Sequence, residues 1–296
     1  MEDRPLAKMR YFGNDFLCAD FCRLDPQPDY LGDAMERNIK LTIAYDGSGF
    51  VGWQRQPAHH GKSIQQQIED ALSALLDHKV VIHGAGRTDA GVHAIGQVAN
   101  FFCDKPLPID KLADILNNIL PSSIRIISAI EVTPEFHARF SPHKKRYRYL
   151  IEQGRRCSPF AANYSWQLDS KLNLDVMSNS AQSLVGRHDF RHYTLAKTSV
   201  IDFVREIYSL QVYQPPQSRD VFFPWQELCD PLVIEVTGNG FLYKMVRIIV
   251  GRLVAVGKGE LPPEAMAEFL SGVRHDNIPP APARGLFLDY IWYAAE

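Results

Sequence analysis

A regular alternation of apolar and polar positions begins abruptly at Ile39. In NIKLTIAYDG, Ile39, Leu41, Ile43 and Tyr45 take every second position, which predicts a half-buried strand closed by a turn at Asp46-Gly47. In SIQQQIEDALSALLD the spacing changes to that of a helix, with Ile64, Ile68, Leu72, Leu75 and Leu76 on one face. Ser63 and Gln66 stand at capping-box distance and mark its start. KVVIH and QVANFF are predicted strands on either side of a loop, GAGRTDAGVHA. IDKLADILNNIL is predicted as a helix halted at Pro121, and IRIISAIEV as a strand. KKRYRYLIE predicts a strand with Tyr147, Tyr149 and Ile151 on one face and Arg146 and Arg148 on the other. DVMSNSAQSLVG then predicts a helix ending at Gly186, VREIYSLQVY and PLVIEVTG strands, and GFLYKMVRIIVGRLVAVG a helix. PPEAMAEFLSG predicts a short helix with proline in its first turn, and GLFLDYIWY a closing strand.

Strands and helices alternate in both halves without tight repeats. The expected class is α+β, as two mixed, mostly antiparallel sheet domains with helices packed on one face and a cleft between them. The expected division is 38–145 and 146–296. Residues 1–37 are an extension without periodicity, expected to be disordered or, over 1–34, to precede a native start at Met35.

Composition narrows the class of protein. Apolar residues make up 46% and charged residues 22% of 296, ordinary for a globular chain. The five cysteines (Cys18, Cys22, Cys103, Cys157, Cys229) are odd in number and scattered, which implies no disulfide framework and fits a reducing compartment. Cys18 and Cys22 lack a second ligand pair at suitable spacing and are a poor zinc signal. Glu2, Asp3 and Arg4 exclude a signal peptide, and Lys244, Arg247 and Arg252 interrupt the longest apolar stretch. A cytoplasmic protein with no membrane contact is the expectation. The net charge of −2 names no partner, but positive charge is clumped in HKKRYRYL at 143–150. A basic stripe of that kind suits a nucleic-acid binder of modest contact area.

The loop at 84–94 is the densest chemistry on the chain. Gly84-x-Gly86 is followed by Asp89 where a dinucleotide loop needs its third glycine. Gly86-RTDA-Gly91 has a P-loop's spacer but lacks the lysine that reaches phosphate. An acid in either cradle would repel its ligand. Asp89 therefore either caps a turn, with Arg87 or Thr88 as local partner, or serves as a nucleophile that is already ionised at neutral pH.

GRTDAGVHA, with IAYDGSGFVGWQRQ and SIQQQIEDAL before it, resembles the tRNA pseudouridine synthase A family. FHARFSPHKKRYRYLI, LVGRHDF, GNGFLYKMVRIIVGRLVAVG and APARGLFLDYIW continue the resemblance in order to the C-terminus, from about Met35 onward. It implies the pseudouridine synthase fold and isomerisation of uridine to pseudouridine at positions 38, 39 and 40 of the tRNA anticodon stem-loop. It implies a homodimer, tRNA as partner, and no cofactor or metal. Asp89 matches the family's catalytic aspartate, and Tyr147 the tyrosine that packs on the target base. Arg247 matches a basic position that pairs with the aspartate, and Arg87 an arginine that fills the gap left by a flipped uridine. Lys144, Lys145, Arg146 and Arg148 would neutralise RNA phosphates, or form a solvated strand edge. His93, His137 and the pair His188-Asp189 are assigned no catalytic role, and Trp53 and Gln54 no mechanism. The segment 217–231 is longer than a minimal member needs. Two other functions stay open: the same chemistry on a different RNA, and an RNA-binding chaperone without catalysis.

Overall fold

Ten strands and five helices, among the described residues, follow the predicted order closely. The structure, a computed structural model, describes residues 36–154, 158–195, 202–215, 230–275 and 277–294. The extension 1–34, Cys18, Cys22, Cys157, Cys229 and all but the last two residues of 217–231 lie outside them.

The elements of the first half are β1 (Arg37–Tyr45), α1 (Ile64–Leu76), β2 (His83–Gly84), β3 (His93–Cys103), α2 (Ile109–Ile119) and β4 (Ile124–Val132). Those of the second are β5 (Pro142–Gln153), β6 (Trp166–Leu168), α3 (Leu174–Ala181), β7 (Gly186–Asp189), β8 (Val204–Tyr213), β9 (Pro231–Gly238), α4 (Met245–Gly257), α5 (Ala265–Ser271) and β10 (Leu286–Tyr293). All ten strands form one sheet in the order β4-β1-β3-β10-β5-β9-β8-β7, with β2 on β3 and β6 on β5. Pairing is antiparallel except for β3–β10 and β5–β6. The class is α+β, with a mostly antiparallel mixed sheet.

Strands from the first half of the chain occupy one side of this sheet and strands from the second half the other. The seam is short: β3 and β10 align only at His93↔Phe287 and Ala94↔Leu288. The expected division at 145/146 falls inside β5, which pairs with β10 on one side and β9 on the other. The loop that enters β3 at His93 therefore arrives at the seam itself.

Helices cover one face of the sheet. Ile64, Ile68 and Leu72 of α1, Leu112 and Leu116 of α2, and Ile249 and Leu253 of α4 share a core with Leu41, Phe101, Tyr149, Ile234 and Leu288. The opposite face holds a small cluster of Leu150, Ala161, Val233 and Phe287. β5 supplies both, in strict alternation, as a strand between two faces must. Ser63 accepts the Gln66 N–H at 3.2 Å, the cap its spacing predicts. α4 is apolar nearly all round and correspondingly buried.

Several predicted elements come out shorter, two of them for reasons the structure shows. KVVIH yields only the two-residue β2, because side chains of α1 satisfy its backbone in place of a neighbouring strand. Glu69 accepts the Ile82 N–H at 3.2 Å, Gln65 donates to the Ile82 carbonyl at 3.3 Å, and Ser73 accepts the Val80 N–H at 2.9 Å. The helix expected from Gly240 starts instead at Met245, after Lys244 in the left-handed region at φ 58°.

Candidate active site

The loop 85–92 is held on all sides. Its first residue extends the β2–β3 ladder, with the Ala85 N–H donating to the Val98 carbonyl at 2.8 Å. Gln97, fully buried, donates to the Gly86 carbonyl at 2.8 Å. The Trp53 N–H donates to the Thr88 carbonyl at 3.0 Å, and the Thr88 hydroxyl shares a 2.8 Å hydrogen bond with Tyr45. Asp89 opens a turn closed by the Val92 N–H on its carbonyl at 3.2 Å, and Gly91 takes φ 75° at the third position. A type II turn requires positive φ there, which glycine adopts without strain. Gly84 serves a different end: a Cβ there would lie 2.5 Å from the Trp53 indole, so its absence lets the ring pack against the root of the loop.

With its backbone so fixed, the Asp89 carboxylate faces Arg247 of α4. The guanidinium Nη1 lies 3.0 Å from Asp89 Oδ2, while its Nε donates to the Ala281 carbonyl at 2.7 Å. A carboxylate and a carbonyl together fix the planar fork in one orientation. Both side chains are largely but not wholly covered, Asp89 24% and Arg247 14% exposed, so the pair is reachable from solvent.

Tyr147 borders the same loop from β5. Its hydroxyl would lie 4.0 Å from a Cβ at Gly86, and its ring meets Phe241 edge-on at 5.3 Å. Burial, then the neighbouring Tyr45 and Asp89, raises the phenol well above its ordinary pKa, so it stays neutral. Lys145, two residues earlier on the same face, donates to the Ala85 carbonyl at 2.6 Å. Burial lowers its pKa to about 8, with Arg139 adding to the effect.

The structure thus brings Asp89, Arg247, Tyr147 and Lys145 together. Arg87 sits on the same loop, exposed and without a hydrogen bond or ion pair among the described residues. Three of the basic residues lie on the opposite face of β5. Arg146 pairs with Asp289 at 2.5 Å, Arg148 with Glu235 at 2.7 Å and with Asp289 at 3.2 Å, and the Lys144 ammonium stands 4.6 Å from the Trp292 ring. Asp289 itself is buried.

His93 and His188 are structural in their contacts. His93 is buried between Asp46, at 3.2 Å, and the carbonyls of Asn163 and Arg284, each at 3.1 Å. It stacks on Phe287 across the seam. Asp46, which also receives hydrogen bonds from Ser48 and Tyr164, is held well below the usual carboxylate range, chiefly by His93. His188 bonds the Val185 carbonyl. No group of three potential metal ligands occurs among the described residues, and none of their helices is long and apolar enough to cross a membrane. A depression of about 610 Å³ lined by Asn173, Val176, Val256 and Pro262 includes none of the site residues.

Sequence reasoning left Trp53 without a mechanism and passed over Gln97. Both act through the loop backbone, Trp53 by its N–H and the fit of its ring on Gly84, Gln97 by its amide. The available signal for Gln97 was a polar residue at a core position of an apolar strand.

Comparison with known proteins matches the chain to one family. A family model described as tRNA pseudouridine synthase matches residues 41–141 and 180–293. The tRNA pseudouridine synthase A of Moorella thermoacetica is 40% identical over 256 residues, covering 86% of this chain and 99% of that relative. The protein of the same name from Ruminiclostridium cellulolyticum is 41% identical over 258 residues, covering 87% and 100%.

Proposed function

We propose, from the premise that the chain belongs to the tRNA pseudouridine synthase family and isomerises uridine to pseudouridine in tRNA, that Asp89 is the nucleophile and that the target lies at positions 38, 39 and 40 of the anticodon stem-loop. The reaction breaks the bond from ribose C1′ to uracil N1 and forms one from C1′ to C5. The C5 proton leaves and N1 takes one up, so no atom is gained and no cofactor is required. The observation that carries this reading is the Asp89–Arg247 contact, which joins a loop of the first half to a helix of the second beside Tyr147.

Each residue has a definite task in that reading. Arg247 aims the carboxylate, and a carboxylate nucleophile needs no general base to become reactive. Tyr147 gives the extruded base a flat, uncharged wall. Arg87 is free to enter the gap in the stem, where extrusion costs a few kcal/mol of lost stacking. The segments 38–145 and 146–296 act as two domains sharing one sheet, each giving one member of the pair. A cytoplasmic homodimer whose two clefts each use both subunits completes the proposal.

The test is release of tritium from tRNA labelled at uracil C5, with wild type and Asp89→Asn side by side. Release by wild type alone is expected. Comparable release by Asp89→Asn overturns the role of Asp89. Silence from both, in folded protein that binds tRNA, overturns catalysis altogether and leaves a binding protein.

A further inference from the structure

Phe140 is 75% exposed, among the largest values for an aromatic side chain in the described residues, yet its turn is held firmly. The N–H groups of Phe140 and Ser141 both donate to the His137 carbonyl, at 3.1 and 2.9 Å, and the His137 N–H donates to the Ser141 hydroxyl at 3.0 Å. Ala138, fully buried, receives a hydrogen bond from Tyr293 on its carbonyl and donates to Asn100, whose amide in turn bonds Asn38. Asn38 donates to the Phe136 carbonyl at 2.8 Å. Two buried amides and a tyrosine thus fix a turn that presents a phenyl ring to water.

The ring is one end of a ladder. His137 lies 4.5 Å from Phe140, and His83 lies 5.0 Å from His137, centroid to centroid, with interplanar angles near 40°. The Arg139 guanidinium stands 5.4 Å from the Phe140 centroid and has no carboxylate partner among the described residues. The other end, His83, is the first residue of β2 and leads directly through Gly84 into the loop that bears Arg87 and Asp89. Burial, with His83 next to it, lowers the His137 pKa, which keeps that ring neutral.

We propose that His83, His137 and Phe140, with Arg139, form a stacking shelf for an unpaired nucleotide of the tRNA next to the reacting uridine. The inference rests on tRNA as substrate and on Asp89 as the reaction centre. The chemistry favours a nucleobase as occupant. Consecutive flat rings beside an uncompensated guanidinium offer a π-face and positive charge together, which is how single-stranded nucleic acid is gripped without reading its sequence. A turn fixed in advance also avoids the ordering cost that a mobile aromatic would incur on binding.

The experiment measures tRNA affinity directly for Phe140→Ala and Phe140→Trp, each in the Asp89→Asn background so that no turnover intervenes. Phe140→Ala is expected to weaken binding roughly ten-fold, and Phe140→Trp to restore it. In otherwise wild-type enzyme the loss is expected in KM rather than kcat. Because the side chain is exposed, thermal unfolding is expected to be unchanged. Affinity within two-fold of the parent for Phe140→Ala overturns the shelf. So does a change in sedimentation of the RNA-free protein on the same substitution, which makes a second copy of the chain the occupant. Should Asp89→Asn prove active, the nucleophile assignment fails while the binding comparison stands.

Discussion

The two faces of β5 carry the same kinds of residue and do different things with them. On one face Lys145 and Tyr149 end on backbone carbonyls, those of Ala85 at 2.6 Å and Pro282 at 2.8 Å. Those carbonyls belong to the two segments that meet at the Asp89–Arg247 pair, since Arg247 bonds Ala281 and Asp89. Tyr147 lies between them. On the other face Arg146 and Arg148 end on carboxylates from two different strands, Asp289 and Glu235, with Tyr213 donating to Glu235 at 3.3 Å. One face holds the loop and strand segments around the Asp89–Arg247 pair; the other closes a charge network across β10, β5 and β9. A dense basic clump in sequence is therefore not a positive surface until its alternation is resolved and its partners are counted.

The sharpest way to break the comparison is at Arg247. Arg247→Ala removes the charge facing Asp89 and the tie to Ala281 together, and a fall in kcat of about 10²–10³ is expected, the scale of losing one preorganised electrostatic partner. Arg247→Lys should recover little, because an ammonium cannot span a carboxylate and a carbonyl as the fork does. Activity within ten-fold of wild type for Arg247→Ala, by the tritium assay, would mean the pair is architectural.

A smaller effect of a different kind is expected on the arginine face. Asp289→Asn leaves Arg146 and Arg148 facing a buried neutral amide, and removing one partner of a covered ion pair costs about 2–3 kcal/mol once the partial exposure of both arginines is allowed for. Urea unfolding measures it, and kcat is expected to fall far less than for Arg247→Ala. Loss of activity without loss of stability would make the two faces one functional unit.

What was legible in the sequence follows from which forces act locally. α1 and its Ser63 cap are local, and both could be read from spacing. Asp89 stood out because an acid in a glycine-rich loop fits no phosphate cradle, and the resemblance then supplied its role. KVVIH misled because an apolar run can be buried against a helix whose own side chains satisfy its backbone, and no pattern within the run reveals that. The seam was invisible, since His93 and Phe287 pair across 194 positions of sequence with no turn to announce it. Lys145 was half legible: period two puts it with Tyr147 and Tyr149, away from Arg146 and Arg148, but its acceptor is a loop carbonyl that only the fold supplies.

Lys145 provides the next test. Its pKa stands at about 8 in the fold against an ordinary 10.5, chiefly from burial. The unfolded chain therefore binds the proton more tightly, and stability rises with pH across that window. Relative to Lys145→Met, wild type is expected to gain about 2–3 kcal/mol between pH 8 and pH 10.5, measured by urea unfolding at each pH. A neutral amine still donates to the Ala85 carbonyl, so the loop stays tied while the burial penalty disappears. A flat difference would place the ammonium in water, outside the wall of the site.

The finest effect separates Lys144 from Arg148. Both lie on the face away from Asp89, but among the described residues Lys144 faces an aromatic ring and no carboxylate, whereas Arg148 has two carboxylates within 3.2 Å. A cation that neutralises a tRNA phosphate releases a counterion, so its removal lowers the slope of log affinity against log salt by about 0.7–0.9. A cation already neutralised within the protein has no such counterion to release. Lys144→Ala is expected to lower the slope by that amount, and Arg148→Gln to leave it unchanged even if affinity drops through lost stability. An equal fall for both would show that RNA competes for Arg148 with Glu235 and Asp289, which turns the arginine network into a binding surface and erases the division between the faces of β5.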